Sequence, residues 1–240
     1  MENLKLKLFS FGMPFLLGFA VAGGEIGNAW LGDTASRMKS FSSSSGSMLP
    51  TLEIGDRFLV RLPIAEFYRD LARSYSPEYL PNFRVHQGDI VVFKLPSDFT
   101  IVYVKRVVGL PGDTIQVLDG VVHIDGKPIK RERIDDYIGM SSSGAVRHVP
   151  RFRETLPNGV SYETLDLTKQ GQLDNTREYK VPPGHYFMMG DNRDNSVDSR
   201  VLTRVGFVPA ENLIGRATTV YVSGTTNDVV WRSLKPHLND

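Results

Sequence analysis

Ser47 stands in the phrase Ser45-Gly46-Ser47-Met48-Leu49-Pro50, where the serine run Ser42–Ser45 meets a glycine and a proline. A serine run ordinarily marks flexible chain. Here Gly46 and Pro50 restrict the turn and hold one hydroxyl in a defined place, as a nucleophile requires. A free serine hydroxyl attacks poorly near neutral pH and needs a base. The familiar base is histidine backed by a carboxylate. The five histidines (His86, His123, His148, His185, His237) lie in plain contexts, and no Gly-x-Ser-x-Gly elbow occurs. Lysine is the other candidate base. Its amine accepts a proton only when neutral, and burial among apolar groups lowers its pKa. Lys105, inside IVYVKRVVGL (101–110), meets that need. On a strand it shares a face with Tyr103 and Val107 while Arg106 faces away. The plain alternative is a strand with one outward lysine.

A third group lies in GDNRDNSVDSR (190–200), dense in side chains that bond backbone or each other. Asn192, Asp194, Ser196 and Asp198 alternate as in a calcium loop. The glycine such a loop needs is replaced by Val197, and no glutamate follows at the right distance. No metal or cofactor is expected. A polar turn that pins two strands, with a hydroxyl to offer a buried lysine, fits these residues better.

The elements that must position these groups are mostly strands. RFLVRL (57–62), DIVVFKL (89–95) and TIVYVKRVVGL (100–110) are β-branched and aromatic runs bounded by turn residues. TIQVLDGVVHIDGKPI (114–129) predicts a hairpin through Asp119-Gly120 and a second tight turn at Asp125-Gly126. HYFMMG (185–190) and ATTVYV (217–222) predict further strands, and residues 64–75 a helix. Residues 130–180 are polar and predict an insertion of loops and short strands. The expected fold is a mostly β domain over 42–240.

The 240 residues are 41% hydrophobic and 23% charged, which argues against disorder. A net charge of +1 gives no reason to expect a nucleic-acid partner. With no cysteine, disulfides, thiol catalysis and Cys-ligated zinc are excluded. At the N-terminus, Leu8–Gly24 carries no charge and as a helix reaches roughly 25 Å. It fits a membrane anchor (1–24), a cleavable signal peptide ending near Ala20-Val21-Ala22, or a buried helix. Residues 25–41 then read as a connecting segment.

SGSMLPTLEIGD (45–56), GDIVVFKLP with YVKRVVGLPGDTI (88–115) and GDNRDNSVDSR (190–200), in that order, resemble bacterial type I signal peptidases. RETLPNG (153–159) and GFVPAENLIGRA (206–217) are similar to further family segments. The resemblance implies a signal-peptidase-like β catalytic domain with an apolar surface resting on the membrane. It implies Ser47 as nucleophile, Lys105 as general base, and the Ser45 hydroxyl with the Ser47 N–H as oxyanion hole. Ser196 would hydrogen-bond the Lys105 amine, and an Asp198–Arg200 ion pair would hold the loop. Met48, Leu52, Tyr103 and Val104 would line pockets for an Ala-x-Ala site. The implied partners are preproteins carrying signal peptides and membrane lipid. The implied place is the plasma membrane, single-pass, with the catalytic domain extracytoplasmic. Two departures from the family pattern stand out. Ser43 and Ser44 replace the usual Ile/Val-Pro, and the stretch from Arg200 to Gly206 is long. A dedicated peptidase of a conjugation or pilus system, or a non-catalytic membrane-tethered domain binding extended peptides, would share parts of this pattern.

Overall fold

The computed structural model describes residues 38–62, 85–140, 146–168, 170–234 and 237–238. The expected membrane segment, most of the connecting segment and the helical pattern at 64–75 lie outside the described residues. Among the described residues no helix is long and apolar enough to cross a membrane.

The described chain is mostly strand. It opens with β1 (Met38–Ser42), β2 (Arg57–Arg61), β3 (Ile90–Leu95) and β4 (Asp98–Gly109). Next come β5 (Thr114–Leu118), β6 (Val121–Ile124), β7 (Lys127–Pro128), β8 (Lys130–Met140), β9 (Val146–Thr155) and β10 (Val160–Leu165). The last are β11 (Tyr179–Lys180), β12 (His185–Met189), β13 (Val208–Pro209), β14 (Leu213–Val222), β15 (Val229–Ser233) and β16 (His237–Leu238). The largest sheet runs β1-β2-β14-β3-β4-β12-β13, with β15 paired to β14. Two four-stranded sheets, β16-β10-β9-β8 and β11-β5-β6-β7, pair separately from it.

Local sequence explains most of these strands. In β2, Phe58 and Val60 point inward while Arg57 and Arg61 are exposed. β3 is buried on both faces except at Lys94, so it reads as a continuous apolar run. At both hairpin turns the aspartate and glycine take positive φ, 48° and 75° at Asp119-Gly120 and 51° and 75° at Asp125-Gly126. That is the primed turn matching the twist of paired strands.

Two expectations are corrected. Met38–Ser42 is strand, so the sheet begins ahead of the boundary expected at residue 42. Phe41 stacks on Phe58 of the neighbouring strand, their ring centroids 6.3 Å apart. The polar stretch after residue 130 begins as two long antiparallel strands, β8 and β9, with β10 beside them. Opposite charges face each other across these strands, Arg131 on Glu154 and Glu132 on Arg153, so a sequence with no apolar face still pairs well.

Candidate active site

Ser47 sits in a single 3-10 turn, Gly46–Met48, entered from an extended Ser45. Leu49 N–H donates to Gly46 O at 3.2 Å, and Leu52 N–H donates to Met48 O at 2.9 Å. The Leu49–Pro50 peptide is cis. Met48 and Leu52 are fully buried with Phe58, Val60, Ile90 and Val92, which fastens the turn to the sheet from below. From the side, Asn192 donates its backbone N–H to Ser47 O at 3.1 Å and its amide to Gly46 O at 2.9 Å. The turn is therefore shaped by a loop far away in sequence.

Lys105 lies in β4, opposite Val91 of β3. Its Nζ and Ser47 Oγ are hydrogen bonded at 2.6 Å. As an ammonium the nitrogen donates; as a neutral amine it accepts the serine proton. Nζ also donates to Val104 O at 3.0 Å and lies 5.1 Å from the centre of the Tyr103 ring. The lysine is 4% exposed. Burial pushes its pKa down from 10.5 to about 8, against the Asp198 and Asp191 charges that pull it up. Burial wins because an ammonium in low dielectric loses more hydration than two distant carboxylates return. Ser45 Oγ donates to Ser47 Oγ at 3.2 Å, so its hydroxyl stands at the Ser47 oxygen.

The 190–200 loop is tied by buried charge. Arg200 grips Asp198 with two parallel bonds, Nε to Oδ1 and NH2 to Oδ2, each 2.8 Å. Gly190 N–H donates to Asp198 Oδ2 at 3.0 Å. Burial alone would raise Asp198, but the Arg200 charge and these bonds hold its carboxyl low. Arg106, facing away from Lys105, clamps Asp191 at 2.8 and 2.6 Å and lies 4.1 Å above the Tyr162 ring. It also donates to Gly88 O at 2.7 Å.

A cleft of about 370 Å³ opens over Ser47 and Lys105, with Tyr103, Val104, Val102 and Val197 on its walls. Met48 and Leu52, expected to line a pocket, are instead wholly enclosed in the core and offer no surface. Their neighbourhood in sequence to Ser47 does not fix which side of the turn they take. Ser196 also differs from expectation. The amine bonds Ser47 and Val104, while Ser196 Oγ is buried beside Asp198 without a fully formed hydrogen bond among the described residues. It lies close enough to Asp198 to help hold that carboxyl low. Of the two departing serines, Ser44 faces the cleft. Ser43 turns inward and donates to Ser45 O at 3.3 Å. The long stretch after Arg200 is a turn closed on Val201 O, with Val205 in the core and no residue on the cleft. Sequence reasoning gave no place in the site to Asn192, which holds the serine turn, or to Asn195 and Val197, which line the cleft. The only signal was their place in a loop crowded with polar side chains.

The family model "Signal peptidase, peptidase S26" matches residues 32–222. The signal peptidase I of Rickettsia typhi is 37% identical over 199 residues, 78% of this chain and 72% of its own. That of Rickettsia akari is 36% identical over 203 residues, 79% of this chain and 73% of its own. A solved signal peptidase I from Enterococcus faecalis aligns with 55% of this chain and 96% of its own, at 26% identity and a TM-score of 0.33. The sequence matches make the chain a serine endopeptidase. It belongs to the signal peptidase family, peptidase S26.

Proposed function

We propose that the protein is a membrane-anchored signal peptidase that cuts preproteins after an Ala-x-Ala-like site with a Ser47–Lys105 dyad. One contact carries this function: a desolvated amine 2.6 Å from the serine oxygen, its pKa lowered to about 8. A non-catalytic peptide-binding domain has no use for a buried lysine whose amine gives up its proton near pH 8.

In the proposed reaction, neutral Lys105 Nζ takes the Ser47 proton as Oγ bonds to the scissile carbonyl carbon. The Ser45 hydroxyl and the Ser47 N–H stabilise the oxyanion, a charge that exists only along the reaction path. The ammonium then returns its proton to the leaving amine, and the peptide bond breaks to leave an ester on Ser47. Lys105 next draws a proton from water as the water oxygen attacks the ester carbon. The ammonium then returns that proton to Ser47 Oγ as the ester bond breaks, releasing the new carboxyl end and the free serine. Asp198 and Arg200 hold the loop in register. Ser196 Oγ is the hydroxyl available to the amine once Ser47 Oγ has turned to substrate. Tyr103 and Val104 shape the shallow wall against small side chains, and Met48 and Leu52 support that wall from the core. Larger side chains are refused by clash.

Anchoring is proposed through the uncharged N-terminal segment, with the peptidase domain on the extracytoplasmic face of the plasma membrane. Phe99 and Ile101 of the β3–β4 hairpin, 63% and 41% exposed, offer apolar surface beside the cleft wall residue Val102. Confining enzyme and membrane-inserted substrate to one layer raises their effective concentration.

The test is cleavage of a preprotein with an Ala-x-Ala site by the full chain in vesicles. Ser47→Ala and Lys105→Ala should each fall to background while unfolding at wild-type denaturant concentrations or above. Substantial turnover by Lys105→Ala near neutral pH would refute the dyad.

A further inference from the structure

We propose that Asp166, Asp174 and Asp194 bind a calcium ion. One carboxylate oxygen of each lies within 4.8 Å of the other two. They reach this point from separate stretches: Asp166 just after β10, Asp174 from the following loop, Asp194 from the 3-10 turn Arg193–Asn195.

Each carboxylate is held by one oxygen. Asp194 Oδ2 accepts the N–H of Leu167 at 2.7 Å and of Thr168 at 3.0 Å. Asp174 Oδ2 accepts Gly171 N–H at 2.6 Å. Asp166 Oδ2 accepts from Arg131. The three Oδ1 atoms have no hydrogen bond among the described residues, and Asp166 Oδ1 is wholly enclosed on a side chain 8% exposed. A Cβ on Gly171 would overlap Asp194 Oδ1 and lie 3.0 Å from Asp174 Oδ1, so both atoms lean over one backbone carbon. An enclosed carboxylate oxygen without a partner is costly, and a cation held by the cluster would satisfy it.

Among the described residues, the nearby positive charges are already committed. Arg193 pairs with the fully buried Glu154, and Arg131 is divided between Asp166 and Glu154, with its Nε 3.5 Å from the latter. The ligand set is hard oxygen without nitrogen or sulfur, which selects calcium or magnesium. Irregular loops that leave room for carbonyls and water on the exposed Asp194 side suit calcium's larger, looser shell. The ion would staple the chain after β10 to the loop that carries Asn192 and Ser196. It differs from the linear loop that the 192–198 spacing brings to mind. Asn192 donates to Gly46 O and Asp198 pairs with Arg200, and Asp194 is the member of that series that belongs to the three-aspartate cluster.

The test is calorimetric titration of the chelator-treated full chain with calcium chloride, together with thermal unfolding. Saturable binding is expected at about 10⁻⁴–10⁻³ M, with magnesium weaker. A tenfold excess over the dissociation constant should raise the unfolding midpoint by about 3–6 °C. Asp174→Asn should lose both effects. In chelator it should unfold at or above the wild-type temperature, because it removes repulsion. No binding by the wild-type chain in that range overturns the site, and so does an Asp174→Asn variant that binds normally. A variant less stable by the same margin with and without calcium also overturns it, since that marks a hydrogen-bonding role only. If Asp174→Asn fails to fold, the wild-type titration and Asp166→Asn decide by the same criteria.

Discussion

Asn192 holds two consecutive carbonyls of the turn that carries Ser47, Ser47 O at 3.1 Å through its backbone and Gly46 O at 2.9 Å through its amide. A single 3-10 turn has little shape of its own. The aim of the serine oxygen is set by a loop whose Asn192 lies 146 residues further along the chain than Gly46.

Asn192→Ala keeps the backbone bond and deletes the amide. The lost hydrogen bond should lower stability by about 1 kcal/mol. The looser turn should lower kcat by about tenfold to a hundredfold with KM nearly unchanged, because misplacing a reacting atom by ~1 Å has effects of that order. Steady-state kinetics on a preprotein and urea unfolding check both. An unaltered kcat would mean the turn keeps its shape unaided.

The Lys105 amine predicts the pH profile. With its pKa lowered by burial to about 8, kcat/KM should climb with pH through that value, as the amine loses its proton and becomes a base. Asp198 and Asp191 raise this pKa, so Asp191→Asn should move the acidic limb to lower pH. A limb that appears only at the ordinary lysine value of 10.5 would show a solvated amine.

The same shift has a consequence for stability with a definite sign. Between about 8 and 10.5 the unfolded chain holds a proton that the folded chain has released, so folding gains stability as pH rises through that window. Below about 8 the burial penalty is fully present, roughly 3 kcal/mol by conversion of the shift. Lys105→Met should therefore be inactive yet more stable than wild type near neutral pH, by up to about 3 kcal/mol. The gap should shrink as pH approaches 10.5. Denaturant midpoints across pH measure it, and a constant gap would contradict the linkage.

Local pattern revealed the strand of Lys105, since its apolar flanks alternate, and both Asp-Gly turns, since their positive φ values suit those residues. Non-local neutralisation hid the rest. Glu154 is completely buried in β9, held by Arg193, by the Tyr162 hydroxyl at 3.1 Å and by Thr164 at 3.3 Å. A glutamate among arginines looks like a solvated loop until its distant partner is known. The meeting of Ser47 and Lys105, the proposed dyad, was legible because both residues sit in distinctive phrases. The sides taken by Met48 and Ser196 were not, because a turn and a loop lack the periodicity that assigns faces.

Gly190 follows directly on β12, where the segments carrying Ser47 and Ser196 converge. A Cβ there would lie 2.6 Å from Ser47 O and overlap the Ser196 side chain. Backbone stands on one side, so the strain cannot be relieved by a rotamer change alone. Gly190→Ala should destabilise the protein by about 1–3 kcal/mol and reduce cleavage far more than that loss of folded protein explains. Activity per folded molecule, measured well below the unfolding transition, separates the two effects. Normal activity there would show that Ser47 is not held through this contact.

Arg106 and Asp191 form a buried pair, 3% and 1% exposed, on the side of β4 opposite Lys105. The guanidinium needs its planar fork: Nε and NH2 serve the carboxylate while NH1 serves Gly88 O at 2.7 Å. A lysine at this position can supply the charge but not three directed donors. Arg106→Ala should lower stability by about 3–5 kcal/mol, because Asp191 is left charged and unpaired in the core. Arg106→Lys should recover part of that stability. Asp191 immediately precedes Asn192, so kcat should remain low in Arg106→Lys even where the chain is fully folded, with the pH limb still set by Lys105. Full recovery of kcat in Arg106→Lys would show that charge alone, without the directed bonds, fixes the loop that shapes the serine turn.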